Sequence, residues 1–357
     1  MASLTISMTG DIYPTRSLSP VPEHVGRVYA ILRDSDIAIG NFEIPLSDRG
    51  APVEKLLNIR ADPAISENLS GLGLDVATLA NNHAVDYGWA ALEQTAALLR
   101  DKGIRVVGAG SDIAEAMRPE IIEAKGTRVG VIGFSCLLPT GMAAAASRPG
   151  IAPIHINTAY EIDPYYQMEE PGDISVVKVR TSAKADDLAR AVSAVQNLKK
   201  RCDIVIVSLH WGFGSGEKLA EYQMPLAHSL IEAGADIIHG HHPHAVHAIG
   251  FHHGKPILFS MNVFIGQQVF LEASPTVKAM WAEMSADSYI ARVSIQPDGT
   301  MEVEAIPTVL DANRLPILTE ASDFERIHGR LARLSQDHGA VVERIGQTLH
   351  VRPAGKD

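Results

Sequence analysis

Asp203-Ile-Val-Ile-Val-Ser-Leu-His-Trp211 decides the fold. Its run of branched aliphatics is too short for a helix and too continuous for a strand with one wet face. It therefore predicts a strand buried on both sides, as in parallel sheets. The same grammar recurs in Asp36-Ile-Ala-Ile-Gly-Asn-Phe-Glu43, Asp75-Val-Ala-Thr-Leu-Ala-Asn-Asn-His83 and Asp236-Ile-Ile-His-Gly-His-His-Pro-His244. Each time an aspartate precedes an apolar strand that runs into metal-competent side chains. Stretches with helical spacing lie between and beyond them, at 23–33, 63–72, 89–102, 183–200 and 221–232. That alternation predicts an α/β sheet core. Ligands of such sheets bind outside the carboxyl ends of the strands. The pattern thus delivers Asn41, Glu43, Asn82, His83, His210, His242 and His244 to one rim, and a first strand at Leu4–Met8 adds Asp11 just after Gly10.

The 357 residues are 46% hydrophobic and 20% charged, enough apolar content for a real core. The formal net charge of −11 disfavours binding to phosphate backbones or anionic membranes. No apolar run reaches the length of a membrane span, and the first residues lack the basic and apolar regions of a signal peptide. The two cysteines, Cys136 and Cys202, are too few for a disulfide framework. These features predict a cytoplasmic protein with no nucleic-acid or membrane partner.

Seven of the fifteen histidines fall between His239 and His253. A lone histidine is more often structural than a ligand, but several at one strand end are harder to place in a core. Neutral imidazole is a common ligand for borderline metals. In an extended His242-Pro-His244 step alternate residues face the same way, so both rings can reach one metal cluster. His241 would then point away and at most touch substrate, and His239 reads as structural. Asp11 and Glu43 supply carboxylates. Asn82 can offer a neutral oxygen to a metal, leaving His83 to face substrate as a general acid, with Asp86 either steadying His83 or capping the next helix. Asn41 and Trp211 are candidates to line a substrate cleft, as are Tyr165 and Tyr166. Arg16, Lys55 and Arg60 could pair an anionic substrate group.

The ordered set Gly-Asp, Asn-x-Glu, Leu-Ala-Asn-Asn-His-x-x-Asp-x-Gly, His-Trp-Gly and Gly-His-His-Pro-His resembles the CapA-like family of poly-γ-glutamate capsule synthesis, related to calcineurin-like metallophosphoesterases. The resemblance covers roughly residues 4–265. It implies a four-layer α/β/β/α sandwich of the metallophosphoesterase type. It also implies two divalent ions (Mn, Fe, Zn or Ni) held by Asp11, Glu43, Asn82, His210, His242 and His244. Tyr13 stands where those phosphoesterases have a second histidine, so the first metal is held weakly or only together with substrate. The chemistry implied is a metal-activated hydroxide attacking an amide or phosphoester of a small anionic or glutamyl-type substrate, with His83 protonating the leaving atom. The alternative is a non-catalytic accessory or scaffold role in capsule or poly-γ-glutamate synthesis.

No stretch reads as an interdomain linker, which predicts one domain over residues 1–357. Two segments stand out. Residues 137–173 carry five prolines and break the alternation, suggesting an insertion that acts as a substrate lid. Residues 322–349 read as a terminal helical segment packed outside the sheet.

Overall fold

A computed structural model describes residues 3–355. The fold is mixed α/β, built on two large sheets. One half of the ten-stranded sheet is built of parallel strands Leu4–Tyr13, Ile37–Phe42, Val76–Thr78 and Arg105–Val107, the last at its edge. The six-stranded sheet centres on parallel strands Thr127–Ser135, Ile204–His210, Ile237–His241 and Lys255–Leu258.

Side-chain alternation assigns each face. Ile37 and Ile39 join Ile204, Ile206 and Ile237 in a core shared by the two sheets. Ala38 and Phe42 pack instead with Val25, Val28 and Leu32 of the Glu23–Arg33 helix. On the other sheet, Val205, Val207 and Leu209 pack with Ala191 and Val195 of the Ala185–Lys199 helix and Leu230 of the Gln223–Glu232 helix. Inner-face positions continue past the apolar core into Ser208 and His210, which lie beside His239 and His241 in parallel register. The sheet interior thus turns polar at one end.

A bulge places the first carboxylate. Met8 pairs with Ile39, but Asp11, not Gly10, pairs with Asn41, so one extra residue sits between them. Gly10 is obligatory there, because a Cβ would lie 1.7 Å from the Asn262 carbonyl oxygen.

Three expectations need correction. The terminal helix spans Ala321–Gln336 and stops short of residue 349. Its buried spacing ends with Ser335, Gly339 takes a positive φ, and an alternating run follows. Ala340–Ile345 and Thr348–Pro353 form a hairpin that extends the ten-stranded sheet. The 137–173 segment also divides. Met142, Ile151, Ala152 and Ile154 are buried in the body, whereas Ile156–Ile162 and Val177–Ala183 pair as a separate exposed ribbon. Tyr165, in the helix at its tip, is 75% exposed.

Trp211 follows the helix-side face of its strand. It is fully buried, stacks on Phe259 and donates its indole N–H to the Phe259 carbonyl at 2.9 Å. It is a core residue and does not line a cleft. Trp211→Ala is expected to cost about 3–5 kcal/mol in a denaturant unfolding measurement.

Candidate metal centre

At the polar end of the interior, the Asn41 amide donates to Asp11 Oδ1 at 2.7 Å and to Glu43 Oε2 at 2.8 Å. Its own oxygen accepts from Asn81. Asn41 is buried and holds the two carboxylates in place instead of meeting substrate. The other carboxylate oxygens face imidazoles: Glu43 Oε1 lies 3.3 Å from His210 Nε2, and Asp11 Oδ2 lies 3.3 Å from His244 Nδ1. Asn82 Oδ1 is 2.8 Å from His210 Nε2. His242 completes the cluster, with ring centroids 4.7 Å from His210 and 5.8 Å from His244. Two groups of metal-competent side chains, Asp11/His210/His241 and Glu43/His210/His242, share His210. A third, Glu232/His252/His253, lies at the surface.

Burial sets the charge states. It holds the His210, His241 and His242 rings well below their ordinary range, His242 at about 3, so all three are neutral near pH 7. His239 falls to about 4 for the same reason. Glu43 is pushed well above its usual range, first by burial and then by the adjoining Asp11 carboxylate. Burial also opposes ionisation of Asp11, but His244 and His241 outweigh it and bring the carboxyl to about 2.

With these rings neutral, a buried chain of hydrogen bonds fixes each tautomer. The Thr9 carbonyl only accepts, so His239 Nε2, 2.8 Å away, carries the proton. His239 Nδ1 therefore accepts from the Ser208 hydroxyl at 3.0 Å. The Ser208 oxygen in turn accepts from His241 Nε2 at 2.9 Å. His241 Nδ1 is then the acceptor for His210 Nδ1–H at 2.8 Å. His210 Nε2 is left as a lone pair, facing the oxygens of Asn82 and Glu43. Three lone pairs converge on one buried point, and Asp11 Oδ2, Glu43 Oε1, His242 Nδ1 and His244 Nδ1 all lack hydrogen-bond partners. Such an arrangement is relieved either by a proton on Glu43, whose carboxyl burial and Asp11 hold in its neutral form, or by a cation among the donors. The donor set of oxygen and imidazole without thiolate fits a borderline divalent metal. Ser208→Ala interrupts the chain and should weaken metal affinity about 10- to 100-fold in a competitive chelator titration. Unchanged affinity would show that the tautomer is not set this way.

His241 therefore does not point away as alternation around His242 suggests. His239 and His241 share the inner face of their strand, and His242 leaves the strand with φ +96°, which turns its ring back over the site. The His242–Pro243–His244 step is thus not extended, yet it still brings both rings to the centre.

His83 is 8% exposed and lines a cavity together with His242 and His244. Its Nδ1 lies 2.7 Å from Asp86 Oδ2, an oxygen that also accepts from the Ile59 amide. Asp86 makes no cap on the Trp89–Asp101 helix. Burial lowers the His83 pKa, and Asp86 works against that shift. Lys55 binds Asp86 Oδ1 at 2.6 Å and the Asn82 carbonyl at 2.6 Å, so it braces the chain under both residues and is not free for substrate. The Arg16 guanidinium lies over Phe270 and that of Arg60 over Tyr87. No residue of 137–173, Tyr165 and Tyr166 included, is among those lining the cavity.

The sequence reading missed Ser208 and His239 as parts of the site. Their period-two relation to His210 and His241 was available, but the side-by-side register of the two strands was not.

Residues 5–268 match the family described as bacterial capsule synthesis protein PGA_cap. Among curated proteins, the capsule biosynthesis protein CapA of Bacillus anthracis is 26% identical over 98% of this chain and 77% of its own length. A protein of Mycobacterium tuberculosis described as "Probable polyglutamine synthesis accessory protein" is 28% identical over 92% of this chain and 81% of its own. Among solved structures, the NAD nucleotidase of Haemophilus influenzae aligns with 91% of this chain and 61% of its own, at 14% identity and a TM-score of 0.44.

Proposed function

We propose, from the premise that the chain belongs to the bacterial capsule synthesis protein family PGA_cap, that it is a metal-dependent hydrolase of an amide or phosphoester bond in a small anionic or glutamyl-type substrate. The observation that carries this reading is the convergence of His210 Nε2, Asn82 Oδ1 and Glu43 Oε1, three lone pairs in a buried site that opens beside His83. We assign Glu43, Asn82, His210 and His242 to one ion and Asp11 and His244 to a second, with His241 holding His210. Mn, Fe, Zn and Ni all suit these donors. Bound there, such ions supply Lewis acidity and a water acid enough to ionise near neutrality.

The chain's own residues do the rest. Asn41 donates to Asp11 and Glu43 together and so fixes the orientation of both carboxyl groups, and Glu43, held neutral by burial and Asp11, would give up its proton as a cation enters. Asp86 occupies His83 Nδ1, so Nε2 is the atom left to pass a proton to the leaving group. Lys55 fixes Asp86 and the Asn82 backbone together, linking the position of the proton donor to that of a metal ligand.

We also infer that the two sheets and their flanking helices form the four-layer α/β/β/α sandwich, as the shared inner core and the two helix-covered outer faces support. A single domain is part of this reading, and so is work in the cytoplasm, which the two buried free thiols suit. Among the described residues no helix is long and apolar enough to cross a membrane.

An accessory role in polymer synthesis is the second reading, favoured by the description of the mycobacterial relative. A scaffold has no use for a histidine braced by Asp86 and facing a cavity, so we prefer catalysis. Metal analysis of purified protein, followed by assay of the loaded protein on phosphoesters and γ-glutamyl amides, tests both. Stoichiometric metal with turnover supports the hydrolase, metal without turnover on either bond supports the scaffold, and absence of metal binding overturns the centre itself.

A further inference from the structure

We propose that the cavity beside the metal centre is a subsite for an alkyl or aryl group, so that the substrate joins one anionic group to an apolar portion and is not a run of carboxylates. This rests on the hydrolase reading above for its anionic end, but the cavity wall argues for the apolar end by itself.

The cavity has a volume of about 640 Å³, within the range that encloses a small organic molecule. His83, His242 and His244 form one part of its wall. Leu57, Ile59, Met280, Trp281 and Met284 supply an apolar part. Leu56 and Met280, which also line it, remain 91% and 50% exposed. These two side chains carry the apolar wall out to the rim of the cavity, where a ligand can cover them.

Charge around the cavity points the same way. Of its two cationic side chains, Lys55 is taken by Asp86. The other, Arg330, is taken by Asp287 at 2.9 Å and Glu217 at 3.2 Å. Glu217 and Glu283 themselves line the space. A γ-glutamyl strand brings a carboxylate with every residue. Beyond the metal centre those carboxylates would find no free cation among the described lining residues, and would meet Glu283, whose charge no ion pair offsets, whereas Glu217 is already paired with Arg330 and Arg333. This is discrimination by repulsion as much as by fit.

Two polar atoms remain to orient a ligand. Gln268 is 3% exposed and its Oε1 has no partner. The buried Tyr13 hydroxyl faces Glu43 without a hydrogen bond of good geometry. Both residues line the cavity.

Calorimetric titration of the metal-loaded protein with methyl-, propyl-, hexyl- and phenylphosphonate, and with tri-γ-glutamate, tests the subsite. Affinity should rise about fourfold with each early methylene of the alkyl series. Tri-γ-glutamate should bind no tighter than methylphosphonate. Met280→Asp, at a half-exposed position, should flatten the series. Met284→Gln provides the same reading if the first variant fails to fold. A flat series in the wild-type protein, no phosphonate binding at all, or tri-γ-glutamate binding tighter than hexylphosphonate would overturn the proposal. Phosphonates are not hydrolysed, so the two readings fail separately. A graded series without turnover on any ester or amide keeps the subsite and removes the hydrolase. Turnover with a flat series does the reverse.

Discussion

His83→Ala is expected to keep the metal content of the wild-type protein while losing about 10²- to 10⁴-fold in kcat on its best substrate, the usual worth of a positioned acid or base. The expectation follows from how His83 is held. Its Nδ1 is committed to Asp86, and Asp86 to Lys55 and the Ile59 amide. Only Nε2 is left for the cavity. Neither of the two buried groups of metal-competent side chains includes His83. Removing the ring should therefore spare the ions and take away the proton donor. Asp86→Asn should fall between the two proteins, because an amide can still touch the ring but no longer favours its protonated form. Metal analysis and steady-state kinetics on the same preparations decide the matter. If His83→Ala keeps wild-type kcat, His83 is not the proton donor. If it loses metal, the assignment of ligands is wrong.

His210→Ala should have the larger effect on binding, because His210 Nε2 is the imidazole nitrogen that faces both Asn82 Oδ1 and Glu43 Oε1. The variant should retain metal only at background level and show no turnover. It should also lose the stabilisation that ligand gives the folded state. For the wild-type protein, divalent metal added at a thousandfold excess over Kd should stabilise the fold by about 4 kcal/mol if the centre binds it, a shift that a thermal melt resolves. The His210→Ala melt should not respond to metal. A melt that still shifts with metal as the wild type does would place the ions elsewhere.

Much of this was legible along the chain. The four aspartate-led apolar runs, each ending in asparagine, glutamate or histidine, carry their own placement, because a buried parallel strand must end somewhere and its end is where the chain can turn polar. Asp11, Glu43, Asn82, His83, His210, His242 and His244 were all marked by that rule, and the structure brings them together. The rule says nothing about neighbours. Ser208 touches His239 and His241 only because two strands, 31 and 33 residues apart in sequence at those contacts, lie in one register. Lys55 meets Asp86 across a separation of 31 residues. Trp211 sits one residue beyond His210 and faces the opposite side, a half-period that decides between core and site. The C-terminal misreading has the same origin: Ala340–Pro353 carries both helix-tolerant and strand-tolerant residues, and the open edge of the sheet beside Met301–Leu310 selects the strand.

The sequence by itself determined which residue types gather at the strand ends and hence which donors a metal could meet, since strand period and donor chemistry are local properties. Tertiary structure alone decided which nitrogen of His239, His241 and His210 carries the proton, which cations are already spent on neighbouring carboxylates, and where an apolar wall adjoins the candidate centre. Each of those depends on atoms far apart in the chain coming within hydrogen-bonding or van der Waals distance, and spacing along one strand holds no record of that.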